Sequence, residues 1–206
     1  MLSLPLEKQH IIGPLVVTVI ALLMAISEPT SSELFSYKYT AISHFEWWRV
    51  LSGHFLHTNT NHLLLNLMGV TLLWALHGQY YSASRYLMMF VVLCVSTSVC
   101  LYLWSPELKW YVGLSGVLHG LFVVGSYFDI KHKFKSGWVM LLGVGAKAVY
   151  EQLYGASADV AALIDANVAI DAHLFGTLSG GAVIVFLISR SIYKKGRISS
   201  YSRSRR

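Results

Sequence analysis

Six apolar segments constrain this chain more than any other feature: roughly 11–26, 55–76, 86–104, 110–128, 138–154 and 168–189. A helix needs about 20 residues to cross about 30 Å of hydrocarbon, and each segment approaches that length, the first being the shortest. Apolar residues make up 55% of the chain and charged residues 13%, against about 25% charged in soluble domains. These features predict an all-α integral membrane protein, a bundle of six transmembrane helices in one domain over residues 1–206. No linker, low-complexity stretch or internal repeat divides it. The first segment follows Lys8 and ends near Ser27 like a signal peptide, but no clear small-x-small cleavage site follows, so it is expected to remain as the first span.

If the spans alternate, Lys8, Arg85, Lys131, Lys133 and Lys135 share one side with the basic tail at 190–206, while Lys38, Arg49 and Lys109 lie opposite. The positive-inside rule then puts both termini in the cytoplasm. The net charge of +6 belongs mostly to that tail, which reads as a topology anchor for anionic lipid head groups and not as a nucleic-acid site. Cys94 and Cys100 fall about 240° apart around one helix, which argues against a disulfide or a metal pair and leaves both as buried thiols. The external loop at 27–54 mixes Glu28, Glu33, Glu46 and Arg49 with Phe45, Trp47 and Trp48, the pattern of a partly helical segment resting at the interface.

Polar residues inside a span are costly and point to function. Three spans carry them at the external end: "GHFLHTNTNHLLLN" opens the second, "GLSGVLHG" the fourth and "DAHLFGTLSGG" the sixth. His57, His62, Asn66, Ser115 and His173 therefore converge at one depth. A serine hydroxyl becomes a strong nucleophile when an imidazole accepts its proton, and Ser115 and His173 can meet if the fourth and sixth spans pack closely. Gly116 with Gly120, and Gly176 with Gly180, form G-x-x-x-G pairs that permit such packing. Each feature also has a plain structural reading: glycine pairs often serve packing alone, and a serine in a span often bonds its own backbone. His62 and Asn66, four residues apart, share a helix face and can aim two donors at a developing oxyanion, with the Ser115 N–H as a third.

In order and spacing, "HTNTNHLLLN", "GLSG" and "AHLFGTLSG" resemble the rhomboid intramembrane serine proteases, and Trp48 with Arg49 looks like the Trp-Arg pair of that family's first external loop. The resemblance covers all six helices of the bacterial form. It implies a two-residue catalytic unit with Ser115 as nucleophile and His173 as base, His62 and Asn66 beside the oxyanion, His57 supporting the first loop, and Gly113 and Gly116 framing the serine. It also implies a multi-pass location in the bacterial inner membrane. "WYVGLSGVLHG", "WWRVLSGHFLH" and "DAHLFGTLSGG", in a short chain without a soluble extension, are most similar to rhombosortase. That branch is proposed to act on membrane-anchored proteins with a C-terminal span next to a glycine-glycine sorting segment. His119 departs from the family, which often has a tyrosine four residues after the serine to pack on the catalytic histidine.

Asp171 lies about 200° around the helix from His173 and is expected to be a cap or surface carboxylate, not a third catalytic residue. Lys147 and Glu151, four residues apart in the outer half of the fifth span, are expected to pair, either as a neutralised interhelical pair or as substrate contacts at a gate between the second and fifth helices. The alternatives to a rhombosortase-like endopeptidase are a general rhomboid protease with other substrates, a metal- or haem-binding membrane protein using the histidines, and an inactive relative. With no H-E-x-x-H and no acidic residue in the second span, no metal or other cofactor is expected.

Overall fold

Helix follows wherever the chain is continuously apolar, because backbone N–H and C=O groups taken away from water must bond within their own segment. The computed structural model describes residues 4–203, with side chains as far as Lys194. α1 (Lys8–Ile26) leads into an outer layer of short elements: α2 (Thr30–Phe35), β1 (Tyr37–Lys38), α3 (Tyr39–Ser43), α4 (Arg49–Ser52) and a 3-10 turn at Gly53–Phe55. Then come α5 (Thr60–His77), a second 3-10 turn at Gly78–Tyr80, α6 (Ala83–Trp104), β2 (Trp110–Tyr111), α7 (Ser115–Lys131), α8 (Ser136–Tyr154), α9 (Ala158–Ile164) and α10 (Ile170–Arg203). α1, α6 and α10 as far as Lys194 have both the length and the apolar composition to cross a membrane. α5, α7 and α8 are diluted by the histidines, glycines and charged residues they carry.

α7 forms the centre, packed against α5, α6, α8 and α10. Its Val117, Leu121 and Val124 meet Val70 of α5 and Phe90 and Leu93 of α6. Large apolar side chains stay exposed on the surrounding helices, such as Leu23, Leu72, Leu103, Leu142 and Val185, whereas α7 exposes none among the described residues. An apolar perimeter of this kind needs an apolar solvent.

The helix ends differ from the apolar segments in three places. Phe55 lies in the 3-10 turn, and α5 begins only at Thr60, where the Asn59 side chain accepts the His62 N–H at 2.8 Å and caps the helix. Trp110 and Tyr111 are extended, pairing antiparallel with Lys38 and Tyr37, so the fourth helix starts at Ser115. Apolar residues serve a buried strand as well as a span, and hydropathy cannot separate the two uses. At the other end, α10 continues beyond 189, with no proline to stop it. Lys195, Arg197, Arg203, Arg205 and Arg206, which carry most of the expected lipid contact, lie outside the described side chains. Cys94 is buried as expected; Cys100 is only partly so.

The outer layer is tied down by Arg49, which is only 5% exposed. Its Nε donates to Glu46 Oε2 at 2.7 Å, Nη1 to the Ser36 carbonyl at 2.8 Å and Nη2 to the Glu33 carbonyl at 3.0 Å. The Trp48 indole N–H donates to the Leu34 carbonyl. The loop at 27–54 is thus a built layer around one guanidinium.

Candidate active site

Three chain segments meet at the N-terminal end of α7. The β1–β2 pair holds the segment before Ser115, the Gly113 N–H donates to the Gly53 carbonyl at 3.3 Å, and the Tyr111 hydroxyl donates to the Gly113 carbonyl at 2.6 Å. Gly113 has φ of +123°, a conformation that L side chains rarely adopt, and a Cβ there would fall 2.8 Å from His62 Nε2. The backbone can therefore lie directly against the His62 ring. α10 approaches α7 as closely: a Cβ on Gly116 would sit 2.7 Å from the Ala172 carbonyl oxygen.

This close approach brings His173, in the first turn of α10, to Ser115. His173 Nε2 lies 2.9 Å from Ser115 Oγ. On the other side of the ring, Nδ1 lies 2.8 Å from Glu151 Oε2, and Lys147 Nζ donates to Glu151 Oε1 at 2.6 Å. His119 stacks on His173 with ring centroids 4.3 Å apart and planes 15° from parallel, while its Nδ1–H donates to the Ser115 carbonyl at 2.7 Å. His119 is thus fixed to its own helix and covers one face of the His173 ring.

His62 and Asn66 stand across from the serine on α5. The Thr58 N–H donates to His62 Nδ1 at 3.4 Å, which leaves the ring's own N–H on Nε2, facing Gly113. Asn66 Nδ2 donates to the His62 carbonyl at 3.0 Å and keeps a second N–H. The His57 ring meets His62 edge-on at 5.0 Å, and both its nitrogens are buried without a hydrogen-bond partner. His54 reaches across to α6, with Nε2 at 2.9 Å from Ser98 Oγ and 3.0 Å from the Cys94 carbonyl. Burial lowers the His54 pKa to about 4, so it ties the turn to α6 as a neutral ring.

Ser115 opens on two cavities. A largely apolar one of about 490 Å³ runs between α5 and α8, reaching Asn66, His119, Gly143, Lys147 and His173. A small one of about 60 Å³ leads outward past Thr58, Tyr111 and Ala169. α9 roofs the space between them, pinned to the start of α5 by Thr58 Oγ1 donating to the Ile164 carbonyl at 2.6 Å and Asn59 Nδ2 donating to the Leu163 carbonyl at 3.1 Å.

Asp171 accepts from Ser105 Oγ and Gln152 Nε2, away from His173, and so anchors the start of α10. Lys147 borders the large cavity, as a gate residue would, but Glu151 is turned inward, 8% exposed, toward His173. Helix spacing reveals its pairing with Lys147; its contact across to α10 depends on how α8 is rotated, which spacing does not encode. Thr58 and α9 carried no sequence signal: a hydroxyl before a helix and a seven-residue turn look like ordinary loop.

Among the described residues, one group has ligand atoms close enough for a metal: His119, Glu151 and His173, within 4.8 Å of one another. Both nitrogens of His173 already face protein partners, so a metal bound there would displace either Ser115 or Glu151 from the ring.

The rhomboid domain profile matches residues 44–191. The putative rhomboid protease YdcA of Bacillus subtilis (strain 168) is 29% identical over 146 residues, which cover 71% of this chain and 69% of that protein. The residues matched by the profile include Ser115, His62, Asn66 and His173 and the glycines beside them. The chain belongs to the rhomboid family, the intramembrane serine proteases.

Proposed function

We propose that this protein is a six-span endopeptidase of the bacterial inner membrane, both termini cytoplasmic, with Ser115 as nucleophile and His173 as general base. The observation that carries this reading is the 2.9 Å contact between Ser115 Oγ and His173 Nε2 at the mouth of an apolar cavity. As Ser115 Oγ attacks a peptide carbonyl carbon, its proton passes to His173 Nε2 and the carbonyl electron pair moves onto oxygen. Collapse of that intermediate expels the amine, which takes the proton from Nε2. Water then attacks the acyl ester and gives a proton to His173 Nε2; collapse of this second intermediate expels Ser115 Oγ, which takes that proton back as the acid product leaves. The Ser115 N–H, at a helix start where amides lack partners, joins His62 Nε2 and the free Asn66 N–H as donors to the oxyanion.

The substrate read from the sequence is a single-span protein cut near a glycine pair at the outer end of its C-terminal span, the rhombosortase activity. A helical peptide bond is poorly placed for attack because its carbonyl is already bonded, so the substrate must unwind first. Glycine makes this easier, being about 1 kcal/mol worse than alanine in a helix. The 490 Å³ of the cavity between α5 and α8 and the open space beside Gly143, which has no side chain, support lateral access by such a segment.

Two experiments test this. A fluorophosphonate probe should label the wild type, and neither Ser115→Ala nor His173→Ala; labelling of folded Ser115→Ala overturns the reading. A tethered reporter carrying the glycine pair should be released, and its Leu-Leu version should not. Equal release leaves a general rhomboid protease without a sorting role.

A further inference from the structure

Glu151 has no part in a two-residue serine–histidine unit, yet it is the nearest carboxylate to that unit and it is buried. Both of its oxygens are occupied by donors, Lys147 Nζ at 2.6 Å on Oε1 and His173 Nδ1 at 2.8 Å on Oε2. An ionised carboxylate only accepts hydrogen bonds, so the proton between Glu151 and His173 belongs to Nδ1. A neutral imidazole has one N–H, and with Nδ1 protonated its lone pair is on Nε2, the nitrogen facing Ser115 Oγ. The tautomer needed to take the serine's proton is therefore selected from outside the pair.

We propose that Glu151 is a positioning residue that makes this site a triad, Ser115–His173–Glu151, with Lys147 holding the carboxylate in place. The inference deepens the protease reading above and rests on it. The geometry has the form of Ser-His-Asp catalysis: a carboxylate bonded to the far nitrogen holds the ring, fixes its tautomer and stabilises the imidazolium that forms when the serine gives up its proton. The carboxylate itself stays ionised throughout, so every proton transferred still travels between Ser115, His173 and the leaving or attacking group. Here the acid comes from a third helix, α8, and reaches His173 because Lys147, one turn earlier, orients it by an i, i+4 contact. Lys147 is half-exposed on the cavity side whereas Glu151 and His173 are nearly enclosed, so the pair carries its positive end toward the cavity and its negative end toward the imidazole.

The alternative is that Glu151 only tethers α8 to α10. The two differ in what they do to His173. Replacing the orienting carboxylate of a Ser-His-Asp site by its amide lowers turnover about 10⁴-fold through the wrong tautomer. We expect Glu151→Gln to slow fluorophosphonate labelling of Ser115 by about 10²-fold or more, Glu151→Asp to recover at least about tenfold of that loss, and Lys147→Met to lose less than Glu151→Gln. Nitrogen-15 spectra of histidine-labelled protein, with the His173 signals assigned by their loss in His173→Gln, should show the Nδ1–H tautomer in the wild type and the Nε2–H tautomer in Glu151→Gln. Wild-type labelling by folded Glu151→Gln, while Ser115→Ala and His173→Ala stay silent, overturns the triad and leaves the protease reading intact. Labelling of Ser115→Ala would instead remove the protease reading itself. Should Glu151→Gln fail to fold, the wild-type spectrum decides: the Nε2–H tautomer of His173 overturns the inference and the Nδ1–H tautomer supports it.

Discussion

Gly176 of α10 lies so close to the carbonyl oxygen of Gly116 on α7 that no side chain fits between them. One turn further along, a Cβ on Gly180 would meet the Gly120 carbonyl oxygen at 2.7 Å. The two G-x-x-x-G pairs therefore face each other, and the contact they make sets the separation of Ser115 from His173.

Gly176→Ala should push α10 away from α7, lowering stability by about 1–3 kcal/mol as overpacking does and abolishing or sharply reducing fluorophosphonate labelling. Gly181→Ala is the control, because nothing lies within 4 Å of its added Cβ. Thermal unfolding of both variants in one detergent checks the difference. Equal midpoints would show that the helices yield without strain.

Asn66→Ala should lower turnover of the glycine-pair reporter by roughly 10²-fold to 10³-fold, the usual effect of losing one oxyanion donor, with little change in KM. His62→Ala should lose at least as much, since it also frees the Thr58 contacts. Unchanged turnover in Asn66→Ala would assign that side chain to the bond it makes with its own helix.

The convergence of Ser115, His173, His62 and Asn66 was legible because each sits at the same end of its apolar segment and a hydroxyl beside an imidazole has few other uses there. The glycines forecast the contact of α7 with α10. What stayed hidden depended on rotation about helix axes and on the outer layer. Glu151 was visible as half of a pair with Lys147, but its second oxygen contacts a residue on another helix. His54 and His57 are three residues apart with similar surroundings in sequence; the 3-10 turn sends one ring to α6 and leaves the other against His62.

Arg49→Ala should loosen the outer layer, since it leaves the Ser36 and Glu33 carbonyls without their donor, at about 1–3 kcal/mol for each buried group left unpaired. Arg49→Lys should recover only part, because an ammonium cannot reproduce the planar fork. Proteolysis of the loop at 27–54 reports the change, and an unaltered cleavage pattern in Arg49→Ala would refute it.

His54 makes stability depend on pH. Its pKa falls from the ordinary 6.5 to about 4 on burial, so in that window the unfolded chain binds a proton that the folded protein excludes. Stability contributed by the neutral ring is present above pH 6.5 and is lost as pH falls toward 4, at up to about 1.4 kcal/mol per unit. His54→Gln, which keeps a donor for the Cys94 carbonyl, should flatten the dependence of unfolding midpoint on pH across that window. A slope equal to wild type would show that other groups carry it.

A C-terminal fusion to a reporter active only outside the cytoplasm should stay silent if both termini are cytoplasmic. An active fusion would invert the orientation and put the outer layer on the cytoplasmic side.

The two cavities at Ser115 differ about eightfold in volume, and the α9 roof separates their openings. A polypeptide fits only the larger, which faces the surrounding helices; the smaller admits a molecule the size of water. Under the serine–histidine mechanism proposed above, acylation and deacylation draw on different compartments: the chain to be cut comes sideways out of the lipid phase, and the nucleophile that frees the product comes down from the aqueous phase. On that mechanism a substrate segment in the wide passage keeps water out of it, and the small cavity is left to supply the nucleophile that meets the acyl ester.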